Sequence, residues 1–228
     1  MYFAAFLAVL AGTLQKDPLE LNVSKSTIGI YDAIENIPAE RAAAIADLKE
    51  KIAGERADAD PDTALIRDLE DRLARLRKHT NGVILICFDY DPGTAPELRP
   101  MAEAILHHAF RKDIAVLGNV GANVNSAQLA QDTITTVARR ETDDFDRPVT
   151  GVDYVFLGYR PSPLILYMQM GENVIQAYES DYAGRDLNTL PMMEGVRDFN
   201  DIEMVVELTG YVGMPEIWLN VAKTKYNR

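Results

Sequence analysis

The chain has 228 residues, of which 47% are apolar and 25% are charged, an ordinary globular composition with enough length to bury a substantial core. Its formal net charge of −12 argues against a general nucleic-acid-binding surface, which requires clustered Lys and Arg, and disfavours a basic patch for anionic lipid. The single cysteine, Cys87, excludes an internal disulfide and a cysteine-rich metal site.

The N-terminal stretch of residues 1–14 is apolar and carries no charge. A membrane-spanning helix needs about 20 such residues, and a signal peptide usually begins with a positive region, which this stretch lacks. Three interpretations fit: the end of a membrane anchor, a short anchor completed by packing, or a buried core helix. We favour the anchor and expect residues 1–15 to attach the protein to a membrane, on a side that the sequence does not specify.

A connector and a short helix are expected next. Residues 16–30 are typical of an irregular or extended connector. The apolar side chains of Ile30, Ile34 and Ile37 recur at helical spacing and predict a short amphipathic helix.

Residues 38–79 are rich in Ala, Glu, Asp, Arg and Lys and contain no aromatic side chain. Pro61 cannot continue a helix and Asp62 can cap a new one, so the pattern predicts two helices joined by a turn. We expect an antiparallel helical hairpin, inserted before the first strand, that is either an inert surface insertion or a coiled-coil arm that contacts a protein partner. The seam residues at such a contact, spaced as in coiled coils, are Ile45, Leu48, Ile52, Ile66, Leu69, Leu73 and Leu76.

Strands and helices alternate through residues 80–228. The continuous apolar run at 83–88 predicts a strand covered on both faces, and further strands are expected at 114–117, 154–157 and 204–208. The alternation indicates right-handed βαβ units, and therefore an α/β fold with a Rossmann-like, mostly parallel sheet. The chain stops on a helix where a fifth strand would be expected, so either the sequence is a fragment or a partner covers that edge.

Polar residues collect where the predicted strands end, which is the edge at which open α/β sheets bind ligands. Asp89, Asp91 and Glu97 could hold Mg²⁺ or Ca²⁺, or act as nucleophile and acid in phosphoryl transfer. The later strand ends offer no second acidic cluster, however, and Asp91 followed by Pro and Gly is ordinary turn chemistry, with Thr94 as a helix cap. The candidate ligand crevice consists of Asp89, Tyr90, Asp91, Gly93, Thr94, Gly118, Asn119, Gly158, Tyr159 and Arg160.

Cofactor and metal motifs are weak in this sequence. The glycine-rich segment at 118–123 does not match Gly-x-Gly-x-x-Gly and lacks the acidic residue that would hold a ribose. His107 and His108 are adjacent on a predicted helix and point about 100° apart, so they cannot clamp one metal together. We therefore expect no cofactor and no metal.

Residues 88–98, Phe-Asp-Tyr-Asp-Pro-Gly-Thr-Ala-Pro-Glu-Leu, resemble a motif of a family of uncharacterised membrane-anchored proteins of bacteria and archaea. Residues 31–35, 151–159 and parts of 181–197 are similar as well, and the resemblance extends over 28–36 and 82–220. It implies an N-terminal membrane helix, an α/β domain and a second membrane helix, but supplies no activity. The chain departs from the family at 38–79, where a short loop is usual, and in lacking the second membrane helix.

Together these features predict a non-enzymatic accessory, scaffold or assembly subunit of a membrane-associated protein complex. Its partners would be other proteins of the complex or further copies of this chain, and no nucleic acid is expected. The alternative is a hydrolase or small-ligand-binding module that uses the strand-end crevice near Asp89 and Asp91.

Overall fold

The structure is a computed structural model that describes residues 24–145 and 148–226. By its internal contacts the chain divides into two units, residues 1–33 and residues 34–228. In the described part of the first unit, residues 25–33 are helical and expose the side chains of Ile28, Ile30 and Tyr31. The sheet and the candidate site lie in the second unit.

Two helices precede the sheet, α1 (Lys25–Ala57) and α2 (Thr63–Leu76). Helix α1 continues through Pro38, so the predictions of a connector reaching residue 30 and of a separate short helix were wrong. Proline removes one helical hydrogen bond, but the burial of Ile34, Ile37 and Arg41 on both sides of it holds the helix together. Asp62 caps α2 as predicted, by accepting hydrogen bonds from the two backbone N–H groups at 64 and 65.

A buried ionic cluster joins these two helices to the α/β domain. Arg41 on α1 is fully buried and forms a 2.9 Å ion pair with Glu203. Its Nε also donates to the backbone carbonyl of His79 at 2.9 Å. Arg75 on α2 pairs with the buried carboxylate of Asp201, also at 2.9 Å. Arg41 and Asp201 are fully buried, and the side chains of Glu203 and Arg75 are only 11% and 13% exposed. The helices are therefore fixed at their base to the segment that leads into the last strand.

Four parallel strands form the sheet in the described part of the chain: β1 (Val83–Asp89), β2 (Ala115–Val120), β3 (Tyr154–Tyr159) and β4 (Met204–Thr209). Their order across the sheet is β3-β2-β1-β4. Strands β1 and β2 are buried along their whole length, as their uninterrupted apolar sequences predict. The α/β fold with a parallel, Rossmann-like sheet is therefore confirmed.

Helices cover both faces of this sheet. Helices α3 (Ala95–Arg111) and α4 (Ser126–Phe145) pack on one face. The other face is covered by α5 (Pro163–Met170), α6 (Val174–Tyr178) and α7 (Met214–Tyr226), together with short 3₁₀ turns between 187 and 201.

Among the helices that the described residues form, none combines the length and the apolar content needed to cross a membrane. The segment 1–15, which the sequence predicts to attach to a membrane, lies outside the described residues.

Candidate functional site

The strand order creates a topological switch point between β1 and β4. From β1 the chain passes to β2 and β3 on one side, and it then returns to place β4 on the other side of β1. Ligands of open α/β sheets bind beyond the carboxyl ends of the strands at such a point. Here these ends bring together Asp89, Tyr90 and Asp91 of β1 and its following turn with Thr209, Gly210 and Tyr211 of β4 and its following turn.

Asp89 is fully buried and ties the ends of two strands together. Its Oδ1 accepts hydrogen bonds of 2.8 Å from the backbone N–H groups of Gly121 and Ala122, which follow β2. The hydroxyl of Tyr167 on α5 donates to the other oxygen, Oδ2, at 3.5 Å. Burial raises the pKa of Asp89, while the two backbone donors oppose that rise.

Glu207 on β4 is the site residue that the sequence analysis missed. It pairs in register with Cys87 of β1, so its side chain lies on the same face of the sheet as Asp89. Glu207 lies in side-chain contact with Asp89, and its Oε2 accepts a 2.8 Å hydrogen bond from Trp218 Nε1 on α7. Burial raises the pKa of Glu207 to about 8, and the negative charge of Asp89 adds to the rise. A glutamate inside the apolar run at 204–208 was the available signal, because charged residues are rarely placed in covered strands.

Tyr167 and Trp218 pack next to this carboxyl pair, and each of them hydrogen-bonds to one of the two carboxyl groups. Their aromatic rings stack with centroids 4.0 Å apart and an interplanar angle of 21°. Because Tyr167 bonds to Asp89 and Trp218 bonds to Glu207, the four side chains link β1, β4, α5 and α7. Burial, together with the acidic neighbours, raises the pKa of Tyr167 far above its ordinary value, so its hydroxyl stays a hydrogen-bond donor.

Further polar side chains on this face are also paired within the chain. Asn119 Nδ2 donates to the Tyr178 hydroxyl at 3.4 Å. Arg160 donates to the backbone carbonyl of Tyr178 at 2.7 Å. The guanidinium carbon of Arg160 lies 5.7 Å from the centre of the Tyr178 ring. Burial raises the pKa of Cys87 well above its ordinary value, so the thiol is not activated as a nucleophile.

Asp91 fills the N-terminus of α3. Its Oδ1 accepts hydrogen bonds from the backbone N–H groups of Gly93 at 2.9 Å and Thr94 at 3.1 Å. These bonds, that of Thr94 first, lower the pKa of Asp91. Thr94, the predicted cap, makes no capping bond with its own side chain. In nucleotide-binding Rossmann domains a phosphate occupies this position, whereas here a carboxylate of the chain itself does so.

The structure distributes the ten predicted crevice residues over both faces of the sheet. Tyr90 points toward α4 and hydrogen-bonds to Thr133 there, and Gly118 lies against the same core. Tyr159 packs on that core as well. Gly158 has a φ of +82° and lies close to the ring of Tyr182. The residues brought to the face of Glu207 are Asp89, Asn119 and Arg160.

Six of the seven predicted seam residues pack together between α1 and α2, and Ile66 is not part of this cluster. A groove of about 410 Å³ runs beside them and is lined by both helices, with basic residues at Lys49, Arg56 and Arg77. Arg56 forms an ion pair with Glu70 across this groove. Four seam residues form one buried cluster, namely Leu48, Ile52, Leu73 and Leu76, and three are partly buried, namely Ile45, Ile66 and Leu69.

Within the described ranges, no group of three or more His, Cys, Asp or Glu side chains is placed to hold a metal ion. The two adjacent histidines of α3 instead pair with two different carboxylates. His107 pairs with Glu141 on α4, and His108 pairs with Glu35 on α1 at 2.8 Å. Their divergence follows from the helical rotation between neighbouring residues.

No protein-family model, curated protein or solved structure matches this chain. Its function is therefore inferred from the fold and from the geometry of the strand-end site.

Proposed function

We propose that this protein is a non-enzymatic accessory, scaffold or assembly subunit of a membrane-associated protein complex. The observation that carries the proposal is that the polar side chains expected to perform chemistry are occupied by bonds within the chain. Asp89 accepts two backbone N–H groups, Asp91 accepts two more, and Arg160 donates to a backbone carbonyl. Groups engaged in this way hold loops and helices in place rather than face a substrate.

Helices α5 and α7 support the proposal by exposing apolar side chains next to the site. Helix α5 carries no charged residue, and Leu164, Ile165 and Met168 on it are exposed, with Ile165 58% exposed. On the neighbouring helix α7, Leu219 is 59% exposed. Exposed apolar surface next to a rigid core is typical of protein–protein contacts.

Membrane attachment and the role of the two N-terminal helices belong to the same proposal. The apolar segment 1–15 would hold the chain at the membrane. Helices α1 and α2 would act as a coiled-coil arm, which the buried pairs of Arg41 and Arg75 fix to the domain. A rigid base lets such an arm present its outer surface, including the groove at Arg56, to a partner in a defined orientation.

The test is the size and location of the full-length chain in the cells that produce it. Native electrophoresis of the membrane fraction should show a particle much larger than the 25.4 kDa of the chain. Ile165→Glu should reduce the particle to the mass of the chain alone, because a charge at an apolar contact is costly to bury. Met101→Glu, at an exposed site on the opposite face, is the matched control and should leave the particle intact. A wild-type chain that migrates at its own mass and stays in the aqueous fraction would refute the proposal.

A second candidate function is a hydrolase or ligand-binding module, and the specific observation in its favour is the carboxyl pair. Two neighbouring carboxyl groups whose acidities differ are a common arrangement for general acid and base catalysis. Hydrolysis of p-nitrophenyl phosphate by the purified chain tests this alternative. Activity that is lost in Glu207→Gln and kept in Glu216→Gln, an exposed change on α7, would favour it over the scaffold.

A further inference from the structure

We infer that Asp89 and Glu207 form a one-proton latch that fastens helix α7 to the sheet. In the fastened state the pair holds a single proton between its two carboxyl groups, and loss of that proton weakens the attachment of α7. The inference goes beyond the proposed function, since it concerns a conformational equilibrium of the chain that exists with or without a partner.

The hydrogen-bond inventory of the pair leaves a place for one proton. Asp89 Oδ1 already accepts two backbone N–H groups, Asp89 Oδ2 accepts the Tyr167 hydroxyl, and Glu207 Oε2 accepts Trp218 Nε1. Glu207 Oε1 is buried and finds no hydrogen-bond partner in the described part of the chain. Two ionised carboxylates in contact would be two acceptors without a donor, whereas one protonated carboxyl group donates to the other.

Among the described residues, the surroundings of the pair supply no ion-paired positive charge. Neither carboxyl forms an ion pair with Lys or Arg in the described ranges. The titratable groups that face the pair are Cys87 on β1, Tyr167 on α5 and Tyr178 on α6. Burial raises the pKa of all three, so they remain neutral. Asn119 on β2 is uncharged, and Arg160 is directed to the backbone carbonyl of residue 178.

Helix α7 is the element that the latch holds. Trp218 connects it to Glu207, stacks on Tyr167, and contacts the ring of Phe199 at 5.5 Å between centroids. The turn leading into α7 contains Gly213 with a φ of +96°, a conformation that favours glycine. A second negative charge beneath Trp218 would repel the first and draw water toward the pair, so α7 would leave the sheet more often.

The pH range of the latch follows from the acidity of Glu207. In the fastened state, burial and the charge of Asp89 raise the pKa of Glu207 to about 8. In the open state, the carboxyl group of Glu207 would be hydrated and its pKa would return to the ordinary value of 4.5. Between these values, opening releases one proton. The equilibrium constant for opening therefore rises about tenfold for each pH unit and levels off above about pH 8.

Amide hydrogen exchange of the full-length chain, corrected for the intrinsic pH dependence of exchange, measures this equilibrium directly. Peptides from α7 should show the tenfold rise per pH unit between about pH 6 and pH 8, and peptides from α3 should not. Trp218 is the single tryptophan of the chain, so quenching of its fluorescence by acrylamide gives a second readout of the same step.

Glu207→Gln is the decisive variant, because the amide can donate to Asp89 and accept from Trp218 without titrating. It should abolish the pH dependence in α7, while Glu216→Gln, which removes the same charge from the exposed side of α7, should retain it. A wild-type α7 with no such dependence, or a dependence that persists in Glu207→Gln, would overturn the latch. If Glu207→Gln does not fold, Asp89→Asn serves instead, since loss of the neighbouring charge should move the plateau to lower pH. An unmoved plateau would then count against the inference.

Discussion

The guanidinium of Arg41 on α1 is fully buried and forms a 2.9 Å ion pair with Glu203, the residue that precedes β4. The second carboxylate oxygen of Glu203 accepts the backbone N–H of Val83 at the start of β1. One arginine thus joins the first helix to the starts of two neighbouring strands, the inner strand β1 and the edge strand β4. Burial raises the pKa of Glu203, and the positive charge of Arg41 opposes the rise.

Arg41→Met should destabilise the protein by roughly 3–5 kcal/mol, because it leaves the carboxylate of Glu203 buried without its cation. Urea denaturation followed by circular dichroism measures the change. The control is Lys51→Met, which breaks an exposed ion pair with Asp47 and should cost about 0.5 kcal/mol or less. Equal effects of the two substitutions would contradict the structural role of the buried pair.

Asp89→Ala should destabilise the protein by roughly 2–4 kcal/mol, since two backbone N–H groups lose their acceptor. Asp89→Asn should cost less because its amide oxygen can still accept both hydrogen bonds. Hydrogen exchange of the Gly121 and Ala122 amides, monitored by nuclear magnetic resonance, measures the loss of these two hydrogen bonds directly. Asp132→Ala, at an exposed position on α4, should leave these amides protected.

Glu207 should make the protein less stable as pH rises. Its pKa is about 8 when folded and near 4.5 when unfolded, so between these values the folded chain holds a proton that the unfolded chain has lost. The free energy of unfolding should therefore fall by roughly 1 kcal/mol for each pH unit from about pH 5 to pH 8. Denaturation midpoints of the wild type and of Glu207→Gln, compared across this range, isolate the contribution, and parallel curves would show that Glu207 does not titrate in this way.

Two glycines should respond to alanine in opposite directions. A Cβ at Gly210 would lie 2.6 Å from Thr94 Cγ2, so Gly210→Ala should force the end of β4 away from α3 and cost roughly 1–3 kcal/mol. A Cβ at Gly54 on α1 would meet nothing within 4 Å, so Gly54→Ala should stabilise the helix by about 0.5–1 kcal/mol. Thermal melting of both variants checks the prediction, and a stabilising Gly210→Ala would contradict the close approach of the turn.

The strands and the parallel sheet could be predicted because their sequences carry the needed information locally. The apolar run at 83–88 has no polar face, so it can only be a strand or a helix covered on all sides, and its length favours a strand. The cap at Asp62 was equally local, since an aspartate before a helix bonds to the next free N–H groups.

The continuity of α1 could not be predicted in the same way. Pro38 normally ends a helix at the residue before it, and the sequence alone offered no reason to expect otherwise. The reason lies in distant contacts, because Arg41, one turn after the proline, is held by Glu203 and by the carbonyl of His79. A local penalty was outweighed by a buried pair that forms only in the folded chain.

By itself, the sequence determined the element types, the parallel sheet and the position of Asp89 at a strand end. These depend on periodicity and on residues close in the chain. The tertiary structure alone decided that Asp89 meets Glu207, because strand order places β4 beside β1 although 118 positions, from residue 89 to residue 207, separate the two carboxyls. The raised pKa of Glu207, the hydrogen bonds available to the two carboxyl groups and the attachment of α7 to the sheet all follow from that contact. Each of them depends on which groups are buried together.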